Sequence, residues 1–386
     1  MNLLPKASGT RPRVACEIMP QGVVAARSAE AGTPLSAVAR VALAEGAVVP
    51  RLTPGNVVDR VAVAAAIRSA LEQIGERANA RDGNLTLVIP DSAVRVLLLD
   101  FEALPTRAAE ALPLVKFRLK KLLPFDADTA MVTYQTMSTS KSVVRVLAVA
   151  MPRDVLSEYE TAAREAGFEP GAVLPSTLAC LAALDDAEPA LLVNANPVGV
   201  TAAIVRAGVL LLHRSVDLQE HPAANTTLAV GLPLVDPHET AGEWAAQQPL
   251  PEHGRDPYAE QVADEAAVQN VDGITGLNVP SVYAGAGEPV GSSDLQSAPF
   301  SAEIAQAVSV AAAYFEDTLA VAPTEVLSAG SLGADGLKRI LKVSGVGDDD
   351  GLRVRELVET GALLPEAVSA SVPRAWLSGV VGALRG

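Results

Sequence analysis

The side chains best suited to covalent or metal chemistry are few in this chain, and their spacing does not favour it. Four histidines and two cysteines occur in 386 residues, and three of the histidines fall between positions 219 and 300. A zinc site needs Cys and His ligands converging on one point. Cys16 and Cys180 are far apart, each in an apolar stretch where a free thiol behaves as a small hydrophobe, which suits a reducing compartment. His238-Glu239 fails as a metalloprotease motif because Gly242 stands where a second histidine is required. Asp348-Asp349-Asp350-Gly351 lacks alternating calcium-ligand spacing and reads as a solvated loop. Gly330-Ser331-Leu332-Gly333 is not a nucleophile elbow, no histidine is placed as its base, and no Walker A sequence occurs. What remains is binding chemistry. Lys116, Arg118, Lys120 and Lys121 form the one concentrated basic face, with Leu114, Phe117, Leu122 and Phe125 interleaved. Such a face either meets acidic groups or anionic lipid, or is simply the solvated side of a helix.

The elements that position these residues follow from length, composition and periodicity. At 386 residues the chain exceeds the roughly 250–300 at which one core stops growing, so two domains are expected. It is 49% hydrophobic but only 3% aromatic, so its core must be built from Ala, Val and Leu. The net charge of −15 argues against a nucleic-acid binder. No secretory signal opens the sequence, and no apolar run reaches the roughly 18 residues of a membrane helix. Strands are expected at 13–18 and 23–29, with others before Pro50. Asn56 reads as the N-cap of a helix ending near Asn79–Gly83, and a buried strand follows at 85–89. After 94–99 comes a compact module, with a helix capped by Thr106, kinked or delayed by Pro113 and stopped by Pro124-Phe125, strands at 131–137 and 143–150, and a helix at 153–166. The second half begins with a helix at 175–184 and strands at 190–194, 200–205 and 209–215, repeating the opening order. Residues 219–300 hold twelve acidic residues against Arg255 alone, with nine Pro and eight Gly, and read as a poorly ordered insertion. Order is expected to resume with Ser301 capping a helix at 303–319, a short strand at 326–327, a turn at 328–333, a helix at 334–341 and a last helix at 374–384. Antiparallel strands, helix and strand, given twice, predict class α/β.

Several segments together resemble the PilM family of type IV pilus assembly proteins, within the actin-like ATPase superfamily. They are Val14–Ala26, Leu85–Pro90, Phe101–Phe125 with its Leu104-Pro105 and Leu123-Pro124-Phe125, Tyr134, and Ser328–Leu337. The resemblance covers most of the chain outside the insertion. It implies an actin-like (RNase H-like) two-lobed fold. Residues 1–12 would be a flexible tail and 13–175 the first lobe, carrying an inserted small α+β subdomain at about 95–168. Residues 176–386 would be the second lobe, with the acidic insertion at about 219–300.

The resemblance also implies a nucleotide, ATP with magnesium, between the lobes, and the turns that would hold it are altered. The family's Asp-Ile-Gly, whose carboxylate organises magnesium and whose glycine admits phosphate, is here Glu17-Ile18-Met19, followed by Pro20, Gln21 and Gly22. The second turn, usually acidic with glycine two residues on, is Asn194-Ala195-Asn196-Pro197, with Gly199 and Thr201 beyond. The adenosine-side turn is better kept, as Ser328, Gly330 and Ser331. Glu17 is the implied magnesium ligand, and phosphate binding is expected to be weak or absent. Equally, these can be plain tight turns. The implied partner is the cytoplasmic tail of the inner-membrane protein PilN, docked beside Leu114, Phe117, Arg118, Lys121, Leu122 and Phe125. Other inner-membrane pilus components would join, and the chain would lie at the inner membrane without crossing it. Asn2-Leu3-Leu4-Pro5 resembles the PilN tail motif itself, so the terminus is either a docked tail, in its own or a neighbour's groove, or a disordered end. The expected function is a cytoplasmic scaffold. The alternatives are an active ATPase or phosphotransferase of the actin and sugar-kinase group, and a type II secretion platform component.

Overall fold

Alternate residues of two neighbouring strands enter opposite cores. Leu191, Val193 and Ala195 join Val200, Ala202 and Ile204 in one core, whereas Leu192, Ala203 and Val205 face another. Only a strand buried on both faces distributes its side chains this way. The computed structural model describes residues 12–78, 84–184, 188–218, 292–346, 352–367 and 372–385. All belong to one unit formed by residues 1–221 and 292–386.

In chain order the strands and helices are β1 (Val14–Met19), β2 (Gly22–Ser28), β3 (Leu35–Ala42), α1 (Arg60–Gln73), β4 (Asn84–Ile89), β5 (Arg95–Phe101), α2 (Ala108–Leu119), β6 (Met131–Thr139), β7 (Val144–Met151), α3 (Arg153–Glu165), β8 (Glu169–Pro175) and α4 (Ser176–Leu181). The second half continues with β9 (Ala190–Asn196), β10 (Gly199–Arg206), β11 (Val209–Asp217), α5 (Ser292–Leu319), β12 (Glu325–Ala329), α6 (Gly333–Val343), β13 (Arg353–Glu356) and α7 (Ser378–Arg385). One five-stranded sheet runs β3-β2-β1-β4-β8 and a second runs β11-β10-β9-β12-β13. The orders are the same: a meander of antiparallel strands, then two strands added in parallel on the far side. A third sheet, β5-β7-β6, is wholly antiparallel and lies in sequence between β4 and α3.

The cores are built from small aliphatic residues, as the composition requires. The largest joins the first sheet to α1, α3, α4 and α7, and also takes in Leu192, Ala203, Val205, Leu210, Leu327 and Ala329 of the second sheet. A second core lies between the other face of that sheet and α5 and α6, through Ile304, Val308, Phe315, Leu337 and Leu341. The third packs Val115 and Leu119 of α2 against Leu99, Val132, Val146 and Ala148.

Several local expectations are corrected. Asn56 does not cap α1; Asp59 does, accepting from the Ala62 N–H at 2.9 Å. Asn56 is fully buried, where it accepts from the Arg51 N–H and the Tyr159 hydroxyl and donates to the Thr53 carbonyl. That loop is claimed by α3: the Glu158 carboxylate accepts the backbone N–H groups of Gly55, Asn56 and Val57 at 2.6, 2.6 and 3.1 Å. The helix α1 ends at Gln73, and positions 79–83 lie outside the described residues. Arg107, not Thr106, is the cap of α2, which stops at Leu119 and includes Pro113 in its second turn on the exposed face. Ser301 lies inside α5, which already includes residues 292–300, so the last nine positions of the expected insertion are helical. The rest of the insertion, 219–291, lies outside the described residues, as do the Asn2–Pro5 tail, His238 and the Asp348–Asp350 run. Strands β8 and β13 have no counterpart among the expected elements.

Candidate functional site: the junction between the sheets and the face of α2

Glu17 leaves β1 near its end and points at the helices that cross behind it. Its Oε1 accepts the Ser176 hydroxyl at 2.6 Å, at the first residue of α4. Its carboxylate also accepts the Gly379 N–H, in the first turn of α7. A Cβ at position 379 would collide with that carboxylate, so glycine allows the helix end to reach it. Asp91, in the short turn after β4, accepts the Thr177 N–H at 3.1 Å and the Thr177 hydroxyl at 2.5 Å. From the second sheet, the amide nitrogen of Asn194 reaches Ser176 Oγ at 3.0 Å, Thr177 Oγ1 at 3.0 Å and Asp91 Oδ2 at 3.3 Å. These five polar side chains are at most 9% exposed. Burial, with the Asp91 charge adding to it, pushes the Glu17 carboxyl up to about 7, while the Ser176 and Gly379 hydrogen bonds pull it back. His213 of β11 is pushed down by burial against the opposing pull of Asp91. Burial likewise raises both thiols, Cys16 and Cys180, which are free and inert as nucleophiles.

The remaining residues expected at a nucleotide surround this junction. Pro20 and Gln21 form the β1–β2 turn and Gly22 opens β2, where a Cβ would meet the Val41 carbonyl at 2.5 Å. Asn196 closes its own hairpin, its Oδ1 accepting from the Val198 and Gly199 N–H groups at 3.0 and 3.1 Å. Gly199 packs on the Ser92 hydroxyl, and Thr201 bonds across the sheet to Ser215 at 2.9 Å. Gly330, at φ 83°, faces Asn194 and Ala195 so closely that a Cβ would lie 2.5 Å from Asn194 Oδ1. The Leu332 N–H then donates to the Ala195 carbonyl. Among the described residues Gln21 Oε1, Ser328 Oγ and Ser331 Oγ are buried with no hydrogen-bond partner.

Glu17 and Asp91 do not present an open magnesium site in this arrangement. The carboxylates of Glu17 and Asp91 are engaged by hydroxyl, amide and backbone donors, and the glycines that would approach phosphate approach the protein's own atoms instead. Among the described residues no group of three or more His, Cys, Asp or Glu side chains could hold a metal ion. Asp91, Ser176, Thr177 and Gly379 carry no signal in the sequence, because only the folded chain brings them to Glu17 and Asn194.

The expected partner-binding residues lie elsewhere, on the third sheet's helix. Leu114, Phe117 and Arg118 fall at i, i+3 and i+4 on the exposed face of α2, and Lys121, Leu122 and Phe125 follow after its end at Leu119. Leu114 is 44% exposed, Phe117 67% and Leu122 52%, whereas Phe125 is half-buried against the third core. The basic cluster divides. Lys116 donates to the Asp128 carbonyl and Lys120 pairs with the Asp128 carboxylate at 2.6 Å. Among the described residues neither Arg118 nor Lys121 has an ionic partner. A groove of about 730 Å³ lies between Val57–Val61 and Asp154, Ser157, Glu158 and Thr161 of α3, with Val58 and Val61 exposed.

No family model and no curated protein matches the chain. Among solved structures, a PilM-PilN type IV pilus biogenesis complex matches it with a TM-score of 0.62 at 14% identity, over 97% of this chain and 99% of that one. The ethanolamine utilization protein EutJ from Carboxydothermus hydrogenoformans covers 100% of this chain and 92% of its own, at TM-score 0.41 and 10% identity. The cytoplasmic domain of EpsL from the type II secretion system of Vibrio cholerae covers 53% and 70%, at TM-score 0.35 and 14% identity. The chain has the actin-like α/β fold, and its resemblance to PilM holds at the level of the fold.

Proposed function

We propose that this chain is a cytoplasmic, non-catalytic scaffold of type IV pilus biogenesis that docks the cytoplasmic tail of a PilN-like inner-membrane protein. Other inner-membrane components of the pilus complex would assemble around it, and the docked tail would hold it at the membrane. The observation that carries this reading is the exposed surface of α2 and the turn after it, with Leu114 and Phe117 on the helix, Leu122 just beyond it, and Arg118 and Lys121 without an ionic partner among the described residues, in a fold shared over 97% of the chain with a PilM-PilN complex. No helix among the described residues is long and apolar enough to cross a membrane, so attachment through a partner suits the chain.

The physics of such docking is that of a short apolar segment on an amphipathic patch. Burying Phe117 would contribute about 1.5–3 kcal/mol, with Leu114 and Leu122 as flanking contacts. Arg118 and Lys121, with no acid to hold them among the described residues, would orient a peptide that carries one, or meet lipid phosphate. Fluorescence anisotropy with a labelled PilN-like tail peptide tests this. Binding by the full chain and a loss of about tenfold or more in F117A are expected. Equal affinity of F117A, or no binding by the unaltered protein, overturns the assignment of this face.

A further inference from the structure

The disagreement between the sheet junction and the ligand the fold implies is itself informative. Asn194 brings one amide nitrogen, with two N–H bonds, among three oxygens: Ser176 Oγ, Thr177 Oγ1 and Asp91 Oδ2, all within 3.3 Å. Ser176 passes the contact on to Glu17 and Thr177 holds both oxygens of Asp91. Two carboxyls thus share a buried centre, and among the described residues no Lys or Arg is bonded to either. Buried carboxyls in such surroundings either keep a proton, as burial favours for Glu17, or need partly positive partners, as Asp91 has here. Among the described residues the donors bonded to them are the Asn194 amide, the Ser176 and Thr177 hydroxyls and the backbone N–H groups of Thr177 and Gly379, and the His213 ring also feels the Asp91 charge.

We propose that the Asn194 amide serves as an internal stand-in for a cation, latching the second sheet to Glu17 and Asp91 of the first, so that this junction holds without nucleotide or divalent metal. Three close packings agree with it. Gly330 seats on Asn194 and Ala195, Gly199 on Ser92, and Gly379 on Glu17, so each approach that could have admitted a phosphate joins two parts of the chain. The latch is independent of which partner docks on α2.

Thermal melting of the full chain in EDTA, in magnesium chloride and in magnesium with ATP tests the latch, together with Asn194→Asp. The unaltered protein is expected to melt at one temperature in all three. Asn194→Asp puts a third carboxylate at the centre, and this variant is expected to melt lower in EDTA and to recover when magnesium or calcium is added. A saturable rise in the melting temperature of the unaltered protein with magnesium and ATP overturns the proposal. So does an Asn194→Asp protein that melts like the parent and ignores divalent ions. Should that variant fail to fold, the melts of the unaltered protein decide the matter alone.

Discussion

Replacing Glu17 by glutamine should make stability less dependent on pH in a calculable way. In the folded chain the Glu17 carboxyl is pushed from its ordinary 4.5 up to about 7, chiefly by burial. Between those values the folded protein keeps a proton that the unfolded chain has lost, so stability falls as pH rises through this window and is flat above it. Each pKa unit corresponds to about 1.36 kcal/mol, so the contribution lost between pH 4.5 and pH 8 is about 3 kcal/mol. The side-chain amide of the E17Q variant cannot ionise and carries no such term. Its own cost, an amide N–H facing the Gly379 or Ser176 donor, is about 1–3 kcal/mol and independent of pH. His213 contributes with the opposite sign: held neutral by burial, it favours folding above its unfolded pKa and disfavours it as pH falls. That term, and the raised Glu356, occur in both proteins and cancel in the difference. Urea unfolding of the parent and E17Q at constant ionic strength, from pH 4.5 to 8, is the assay. The stability of E17Q relative to the parent is expected to rise by about 3 kcal/mol over that range. A difference that stays constant with pH would falsify the account of Glu17 as a carboxyl whose charge is resisted by burial.

Other substitutions probe the packing. Gly330→Ala forces a side chain into a φ of 83° and onto Asn194, and should cost at least about 1–3 kcal/mol by denaturant unfolding. Glu158→Ala removes the acceptor for three backbone N–H groups, and hydrogen exchange at Gly55–Val57 should accelerate while amides of β1 stay protected. Phe117→Ser, at a residue 67% exposed, should leave stability within about 0.5 kcal/mol while removing the side chain proposed above as a docking anchor. Leu119→Ala, two positions on but fully buried, should cost about 2–5 kcal/mol in the same measurement.

What can be read from the sequence follows the range over which each signal acts. The strands of both meanders declare themselves because their apolar runs are bounded by turn residues within a few positions. Strand β8, Glu-Pro-Gly-Ala-Val-Leu-Pro, escapes such a reading because two prolines and a glycine argue against a strand; at the sheet edge, pairing only with β4, they are tolerated. Asn56 has the right chemistry for a cap, but Glu158 and Tyr159, a hundred positions away, take its loop for another purpose. The α2 face is legible because i, i+3 and i+4 spacing is local. The partition of its lysines is not, since Asp128 reaches Lys116 and Lys120 only across a turn. Erosion at Glu17 and Asn194 can be seen one residue at a time, whereas the network joining them needs four separate stretches of chain.

The largest core draws Leu192, Ala203, Leu210 and Leu327 of the second sheet into the same apolar mass as the first sheet and its helices. Swinging one sheet away from the other would wet that surface, so the two should melt as a single cooperative block in calorimetry, not as two steps. Mechanically, such a block is a stiff lever: a pull delivered at one face shows up elsewhere as displacement and not as internal opening. A block of this kind transmits position.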